Sequence, residues 1–291
     1  MACDCCGSED WVPLFSENDI LLGQCPHCDL LYIDSIPAPE QRMTEMEEGH
    51  YAGSQEIVAA ARQNASELIA RDRFRGYIDL ARKHASHGRW LDVGCGAGLL
   101  IGLAQEAGFS GEGIELSADR RSIAQQLTGA TVHDTPVEDI GFPDDSFDVV
   151  SMINVFSHLI SPTQTFKELV RILRPGGAIV MVTGEMTSGV KKRDMLRWNL
   201  GDHLYFLGDR TMTRYSEKTG LEILHHNRRW LPGEMFSREW LRMRGRSRAK
   251  NALKTIVNLT PGGLKLMRAV MLRRQADSAA HTSVFVLGAT G

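Results

Sequence analysis

The sequence predicts an α/β protein whose seven strands form a mainly parallel sheet, preceded by a small four-cysteine module. Three observations carry that expectation. From Arg89 onward, short apolar runs alternate with helical patterns, the signature of a parallel sheet covered on both faces. A glycine-rich turn, Asp92-Val93-Gly94-Cys95-Gly96-Ala97-Gly98, follows the first of those runs. Five of the six cysteines (Cys3, Cys5, Cys6, Cys25 and Cys28) lie in the first 28 residues.

At 291 residues and 43% hydrophobic content, the chain can bury one sizeable core and hold a small accessory unit. Disordered and fibrous classes are excluded by that composition. Net charge is −3, which alone selects no polyanionic partner. Charge is unevenly spread, however. Between Arg228 and Arg274 the basic residues are many and the only acids are Glu234 and Glu239, so a basic surface is expected there. The N-terminus has no basic start followed by an apolar run, and no stretch approaches the roughly 18 apolar residues of a membrane span. The chain is expected to be cytoplasmic.

Residues 1–36 hold the cysteines. Cys3-x-x-Cys6 and Cys25-Pro26-His27-Cys28 are two C-x-x-C knuckles, and four thiolates in two such turns can close a tetrahedron around zinc. Cys5 competes with Cys6 for the first knuckle, the Cys3–Cys6 spacing being the better. Clustered cysteines without signs of export favour a metal over disulfides, and four thiolates leave no open position for catalysis. Residues 37–88 read as linker and helical cap. Ile36-Pro37-Ala38-Pro39 is expected to be non-helical, and apolar residues recur at helical spacing from about Gln55 until His87-Gly88. Tyr51 and Tyr77 are candidates to line or cover a site, with core packing the simpler expectation for Tyr77.

Residues 89–291 carry the sheet. Strands are expected at Trp90–Val93, Gly111–Ile114, Thr131–His133, Phe147–Met152, Ala178–Thr183, Leu221–His225 and Thr282–Leu287. Helices are expected at Leu99–Ala107, Ala118–Leu127 and Pro162–Leu173, the last with proline at its start. Arg174-Pro175-Gly176-Gly177 reads as a turn. Residues 230–276 form a basic, helical insertion before the last strand, broken at Pro261-Gly262-Gly263.

Glycines after a strand let the backbone approach a ligand and turn sharply into a helix N-terminus. A dinucleotide fingerprint would be G-x-G-x-x-G; here Leu99 occupies the third glycine position and the pattern is G-x-G-x-G. Glu115 ends the second strand, where a carboxylate can accept the ribose hydroxyls of a nucleoside laid across the strand ends. With Phe142-Pro143-Asp144-Asp145-Ser146-Phe147-Asp148, Asn154-Val155-Phe156-Ser157-His158-Leu159 and Arg171-Ile172-Leu173-Arg174-Pro175-Gly176-Gly177, these residues resemble the class I S-adenosylmethionine (AdoMet)-dependent methyltransferases over about residues 89–225. The resemblance implies a Rossmann-like methyltransferase sheet. It places Gly94, Gly96 and Gly98 against the methionine part of AdoMet, Asp92 behind the loop or near the amino group, and Glu115 on the ribose. Leu116, Val137, Glu138 and Asn154 complete the implied cofactor contacts. Many relatives use an acid for the adenine amino group where this chain has Pro136, with Asp134 a competing candidate. The cysteine module resembles the N-terminal zinc ribbon of bacterial methyltransferases acting on sugars and other small metabolites, where zinc is structural.

Methyl transfer from a sulfonium is an in-line displacement, catalysed mostly by positioning. A hydroxyl acceptor also needs a base, for which histidine is suited. His158, after the fourth strand, and His203, after the fifth, fall on the expected acceptor side. The blander reading of each is a capping or packed residue. The leading expectation is O-methylation of a sugar, glycolipid or natural-product intermediate. One alternative is an RNA methyltransferase, disfavoured by the absence of interleaved aromatic and basic residues; another is an AdoMet-binding regulatory module without chemistry. The insertion reads first as a helical lid with a solvated charged face, then as a cradle for an anionic or lipid-linked acceptor, then as a peripheral membrane contact.

Overall fold

The computed structural model describes residues 2–47, 74–195, 200–228 and 280–290, with isolated positions between 252 and 266. Tyr51, the expected helix before residue 74 and almost all of the 230–276 insertion lie outside the described residues.

The first sheet is antiparallel, in the order β1 (Val12–Glu17), β2 (Ile20–Gln24), β3 (Leu31–Ile33) and β9 (Tyr205–Phe206). β1 and β2 turn through Asn18 and Asp19, both left-handed with φ of 49° and 65°. Two such residues match the hand of a twisted hairpin. β9 arrives from far along the chain and pairs Phe206 with Leu31 and Tyr205 with Tyr32. The cysteine segment therefore shares a sheet with the region beside His203. Helix α1 (Pro39–Glu47) follows. Pro39, expected to be non-helical, instead opens this helix, because the first helical position needs neither an N–H nor any φ other than proline's own.

Residues 74–81 are helical (α2). Tyr77, Ile78 and Ala81 pack with Trp90, Phe109 and Val149, so Tyr77 belongs to the core. The helix stops there, short of His87. The second sheet then builds through β4 (Gly88–Val93), α3 (Leu99–Glu106), β5 (Phe109–Ile114), α4 (Ala118–Thr128), β6 (Val132–His133), α5 (Val137–Ile140), β7 (Phe147–Ile153), α6 (Pro162–Ile172), β8 (Leu173–Met186), α7 (Thr211–Thr219), β10 (Leu221–Arg228) and β11 (Ala280–Ala289). Its order is β10-β11-β8-β7-β4-β5-β6, with β11 antiparallel to both neighbours and the remaining pairs parallel.

All seven expected strands are present in this sheet. The expected turn at Arg174–Gly177 is a bulge inside β8: Leu173 pairs with Phe147, and pairing resumes at Ala178 with Val149. A β-carbon at Gly177 would lie 2.7 Å from the Asp148 carbonyl oxygen, so the bulge needs glycine to lie against β7. Alternation sends Trp90, Val149, Val180 and Val182 to the α2 and α3 face. Leu91, Val150, Ile179 and Met181 go to the other face, in one core with Phe166, Tyr215 and Cys3, Cys25 and Cys28. The chain leaves β4 for β5 and β6 on one side and returns to β7 on the other. Such a reversal opens a crevice beyond the C-terminal ends of β4 and β7.

Candidate active site

The glycine turn sits at that crevice. Gly94, Gly96 and Gly98 are all left-handed, with φ of 70°, 57° and 81°, a conformation that costs other residues roughly 1–2 kcal/mol. Their surroundings differ. A β-carbon at Gly94 would lie 2.4 Å from Val155 Cγ2, and one at Gly98 would lie 3.0 Å from Ala124, while one at Gly96 would meet nothing within 4 Å. Gly94 and Gly98 thus allow the turn to pack, and Gly96 faces open space.

Glu115, at the end of β5, is buried. Its Oε2 accepts from Gly96 N at 2.9 Å and its Oε1 from Ser117 N at 2.9 Å, so one carboxylate ties the glycine turn to the start of α4. Asp92 lies beneath the turn. Trp90 Nε1 donates to Ser151 Oγ at 2.7 Å, and Ser151 Oγ donates to Asp92 Oδ1 at 2.6 Å. Burial pushes the Asp92 carboxyl up to about 7 against the Ser151 hydrogen bond, with the neighbouring Glu115 charge adding to the rise.

The remaining cofactor candidates are less uniform. Leu116 is half-buried and Asn154 is exposed, the latter left-handed at φ 59° just past β7. Val137 is in the core. The Glu138 carboxylate accepts a hydrogen bond from Thr165 Oγ1 on α6, which turns it into the helix interface. Asp134 is exposed, 4.0 Å from Arg121.

His158 and His203 are brought together, their ring centroids 4.7 Å apart. His158 ends a single 3-10 turn, Phe156–His158, that begins directly after Val155, the residue against Gly94. Its Nδ1 lies 2.7 Å from the Asp202 carbonyl oxygen, and His203 Nδ1 lies 2.8 Å from Ser157 Oγ. Burial, helped by His203 and Arg42, lowers His158 to about 3. Burial likewise lowers His203 to about 4, against the pull of Asp202. Both rings are therefore neutral at pH 7, the form able to take a proton.

Residues 61–226, over half of the chain, match the profile of a methyltransferase domain family. The chain belongs to that family. Among its curated relatives, the ubiquinone/menaquinone biosynthesis C-methyltransferase of Geotalea daltonii is 32% identical over 34% of this chain and 47% of its own. A ubiquinone biosynthesis O-methyltransferase of Azoarcus sp. is 28% identical over 51% of this chain and 68% of its own. The match thus spans less than half the length of the first of these relatives. Among solved structures, geranyl diphosphate C-methyltransferase from Streptomyces coelicolor superposes with a TM-score of 0.54 at 15% identity, over 73% of this chain and 76% of its own; that likeness concerns the fold.

In this chain the sulfur atoms of Cys3, Cys6, Cys25 and Cys28 all lie within 4.8 Å of one another. The Cys3–Cys28 and Cys6–Cys25 sulfurs are 3.4 and 3.5 Å apart, and all are free thiols. A tetrahedron with bonds of about 2.3 Å spaces its sulfurs about 3.8 Å apart, so the set is sized for zinc. The hydrogen bond shared with Cys28 and burial push the Cys3 thiol well above its ordinary value. Cys5 lies outside that set, its Sγ 3.9 Å from the Thr211 carbonyl oxygen, and Cys6 completes the first knuckle.

Three residues escape sequence reasoning. Asp4, inside the first knuckle, accepts from Ser161 Oγ at 2.7 Å, Thr163 N at 2.9 Å and Tyr215 Oη at 2.8 Å. Arg42 of α1 is buried beside His158. Glu185, near the end of β8, is buried with Ser283 Oγ, His226 Nε2 at 3.1 Å and Arg228 Nη2 at 2.5 Å around it. Burial alone would raise its carboxyl, but those three donors lower it to about 2. Only Glu185 leaves a trace in sequence, as a lone charge closing an apolar run. Nothing distinguishes Asp4 or Arg42 from surface residues.

Proposed function

We propose that this methyltransferase transfers the methyl group of AdoMet to a small-molecule acceptor, a hydroxyl compound being the acceptor that uses every part of the site. One observation carries the reading. Three left-handed glycines form a turn locked to Glu115, and that turn touches Val155, one short helical turn before a pair of neutral histidines. AdoMet supplies a sulfonium-bound methyl group, whose C–S bond breaks as a bond to the acceptor oxygen forms. Gly94, Gly96 and Gly98 admit its methionine part, Glu115 takes the ribose hydroxyls with Leu116 and Asn154 alongside, and Asp92 sits near its amino group. Val137 and Glu138 can offer adenine only backbone contacts, since the Glu138 carboxylate is engaged by Thr165.

The methylated hydroxyl is a far stronger acid than an imidazolium. Even a histidine lowered to about 3 or 4 accepts its proton, and being neutral beforehand it does not repel the sulfonium. His158 or His203 fills that role. The names of the relatives, from ubiquinone and menaquinone biosynthesis, support an apolar or lipid-linked acceptor, and the basic residues between Arg228 and Arg274 suit an anionic one. Nucleic acid is disfavoured. Among the described residues no helix is long and apolar enough to cross a membrane. Cys3, Cys6, Cys25 and Cys28 would hold a structural zinc, with residues 1–36 as its module, 37–88 as linker and cap, and 89–291 as the donor-binding domain. Unpaired thiols suit a reducing, cytoplasmic setting.

Calorimetric titration with S-adenosylhomocysteine tests the donor half. Saturable binding is expected, weakened roughly 10- to 100-fold in Glu115→Gln for the loss of hydrogen bonds to a charged group. Absence of binding to folded protein overturns the reading. Labelled AdoMet with small-molecule extracts then identifies the acceptor, on which replacing both histidines by Gln should lower kcat by at least about 100-fold.

A further inference from the structure

We propose that Arg42 is a positioning residue for methyl transfer: acting through the Asp202 carbonyl, it holds His158 as the tautomer protonated on Nδ1, leaving the Nε2 lone pair to receive the proton. The proposal rests on His158 serving as the base, but its geometry can be tested without turnover.

Arg42 belongs to α1, more than a hundred residues from His158 in sequence, yet its residue exposure is only 3%. Its Nη2 donates to the Asp202 carbonyl oxygen at 2.6 Å, and its Nη1 to the Gly201 carbonyl oxygen at 3.4 Å and Glu45 Oε2 at 3.2 Å. His158 Nδ1 approaches the same Asp202 oxygen to 2.7 Å. A carbonyl oxygen has two lone pairs and no proton, so both neighbours must donate to it. An unprotonated Nδ1 would set lone pair against lone pair at that distance. The 3.4 Å separation between Arg42 Nη2 and His158 Nδ1 is then the gap between two donors sharing one acceptor. A neutral imidazole carries a single N–H, and Nε2 is left with its lone pair.

Arginine suits this place because its rigid fork can reach two successive carbonyls and a carboxylate at once, which a lysine ammonium cannot match. Among the described residues, the charged and titratable groups facing the ring are Arg42 from α1, Arg120 from α4, and Asp202 and His203 from the segment before β9. Arg42, Arg120 and His203 oppose protonation, and the Asp202 carbonyl favours it. Arg42 therefore does two things: it orients the carbonyl that selects the tautomer, and its charge adds to the burial that keeps the ring neutral.

Nitrogen NMR of the histidine rings in the full-length protein decides the matter. In the wild type, His158 should show the Nδ1–H pattern at neutral pH and resist protonation to well below pH 6. In Arg42→Met the pattern should mix with the Nε2–H form, and protonation should begin at higher pH. On an identified acceptor, kcat should then fall at least about tenfold and the acid limb of its pH profile should move upward. S-adenosylhomocysteine affinity should stay within about twofold, and Arg42→Lys should recover part of the loss. An Nε2–H pattern in the wild type overturns the proposal even if Arg42→Met fails to fold. So does an Arg42→Met protein whose ring signals and kcat match the wild type. A wild type with the Nδ1–H pattern that binds no S-adenosylhomocysteine would instead defeat the functional reading alone.

Discussion

Gly94 and Gly96 share a backbone conformation but not an environment, and substitution should separate their roles. Gly94→Ala meets Val155 in addition to left-handed strain, and should be destabilising beyond the roughly 1–2 kcal/mol of that strain. Gly96→Ala carries the strain alone, because the space beside it is open, so it should fold. Yet its methyl group would enter the space proposed for the donor, and S-adenosylhomocysteine affinity should drop at least about tenfold. Equal affinities for Gly96→Ala and wild type would remove Gly96 from the site. Asp92 yields a pH dependence. Its carboxyl is raised by burial to about 7 from an ordinary 3.8, so the folded state keeps a proton that the unfolded state releases. The associated stability is complete below pH about 4 and lost as pH rises through about 7. His158 and His203, both lowered by burial, gain stability over part of the same window, so the effect is read as a difference. The urea midpoint of the ligand-free wild type should lose ground against that of Asp92→Asn as pH rises from about 4 to about 7. An ammonium group bound near Asp92 would favour its ionised form, so S-adenosylhomocysteine affinity should rise over the same range. The glycines and Glu115 were legible in sequence because spacing alone sets them apart. Neither the direction of the Glu138 side chain nor the burial of Arg42 has any such signature.

At the level of elements, the strands of the large sheet were legible because a buried parallel strand must be a short apolar run. β9 was not, since two residues paired across the molecule leave no pattern. The Asn18-Asp19 hairpin was a missed local signal. The knuckles are attached to helix ends. Asp4 accepts from Thr163 N in the first turn of α6 and from Tyr215 Oη of α7. Asp29, directly after the second knuckle, is paired with Arg210, the residue before α7, through Nε at 2.7 Å and Nη2 at 2.8 Å. Asp4→Ala leaves these donors without their carboxylate and should cost about 1–3 kcal/mol, read as a lower denaturant midpoint. Asp4→Asn, which keeps an acceptor, should lose less. A midpoint unchanged in Asp4→Ala would mean that the knuckle does not brace α6.

Across the whole molecule, the cysteine segment braces the stretch that carries His203. It pairs β3 with β9, two residues beyond His203, and Ile33 N donates to the Leu204 carbonyl oxygen at 3.2 Å. The glycine turn and Glu115 lie on the other strands. Removing the proposed zinc should therefore raise hydrogen exchange at Leu204–Phe206, lower Tm, and leave S-adenosylhomocysteine affinity within about threefold, because a segment so small would draw its folding energy from such a metal. Unchanged exchange at those residues after complete chelation would refute the coupling. The central claim is that one crevice holds the donor with its methyl group aimed at the histidine pair. A crystal structure with S-adenosylhomocysteine tests this directly. The account predicts ribose hydroxyls on Glu115, the homocysteine chain along Gly94 and Gly96, and the sulfur open toward His158 and His203. A nucleoside seated elsewhere, or a sulfur facing away from both histidines, would contradict it.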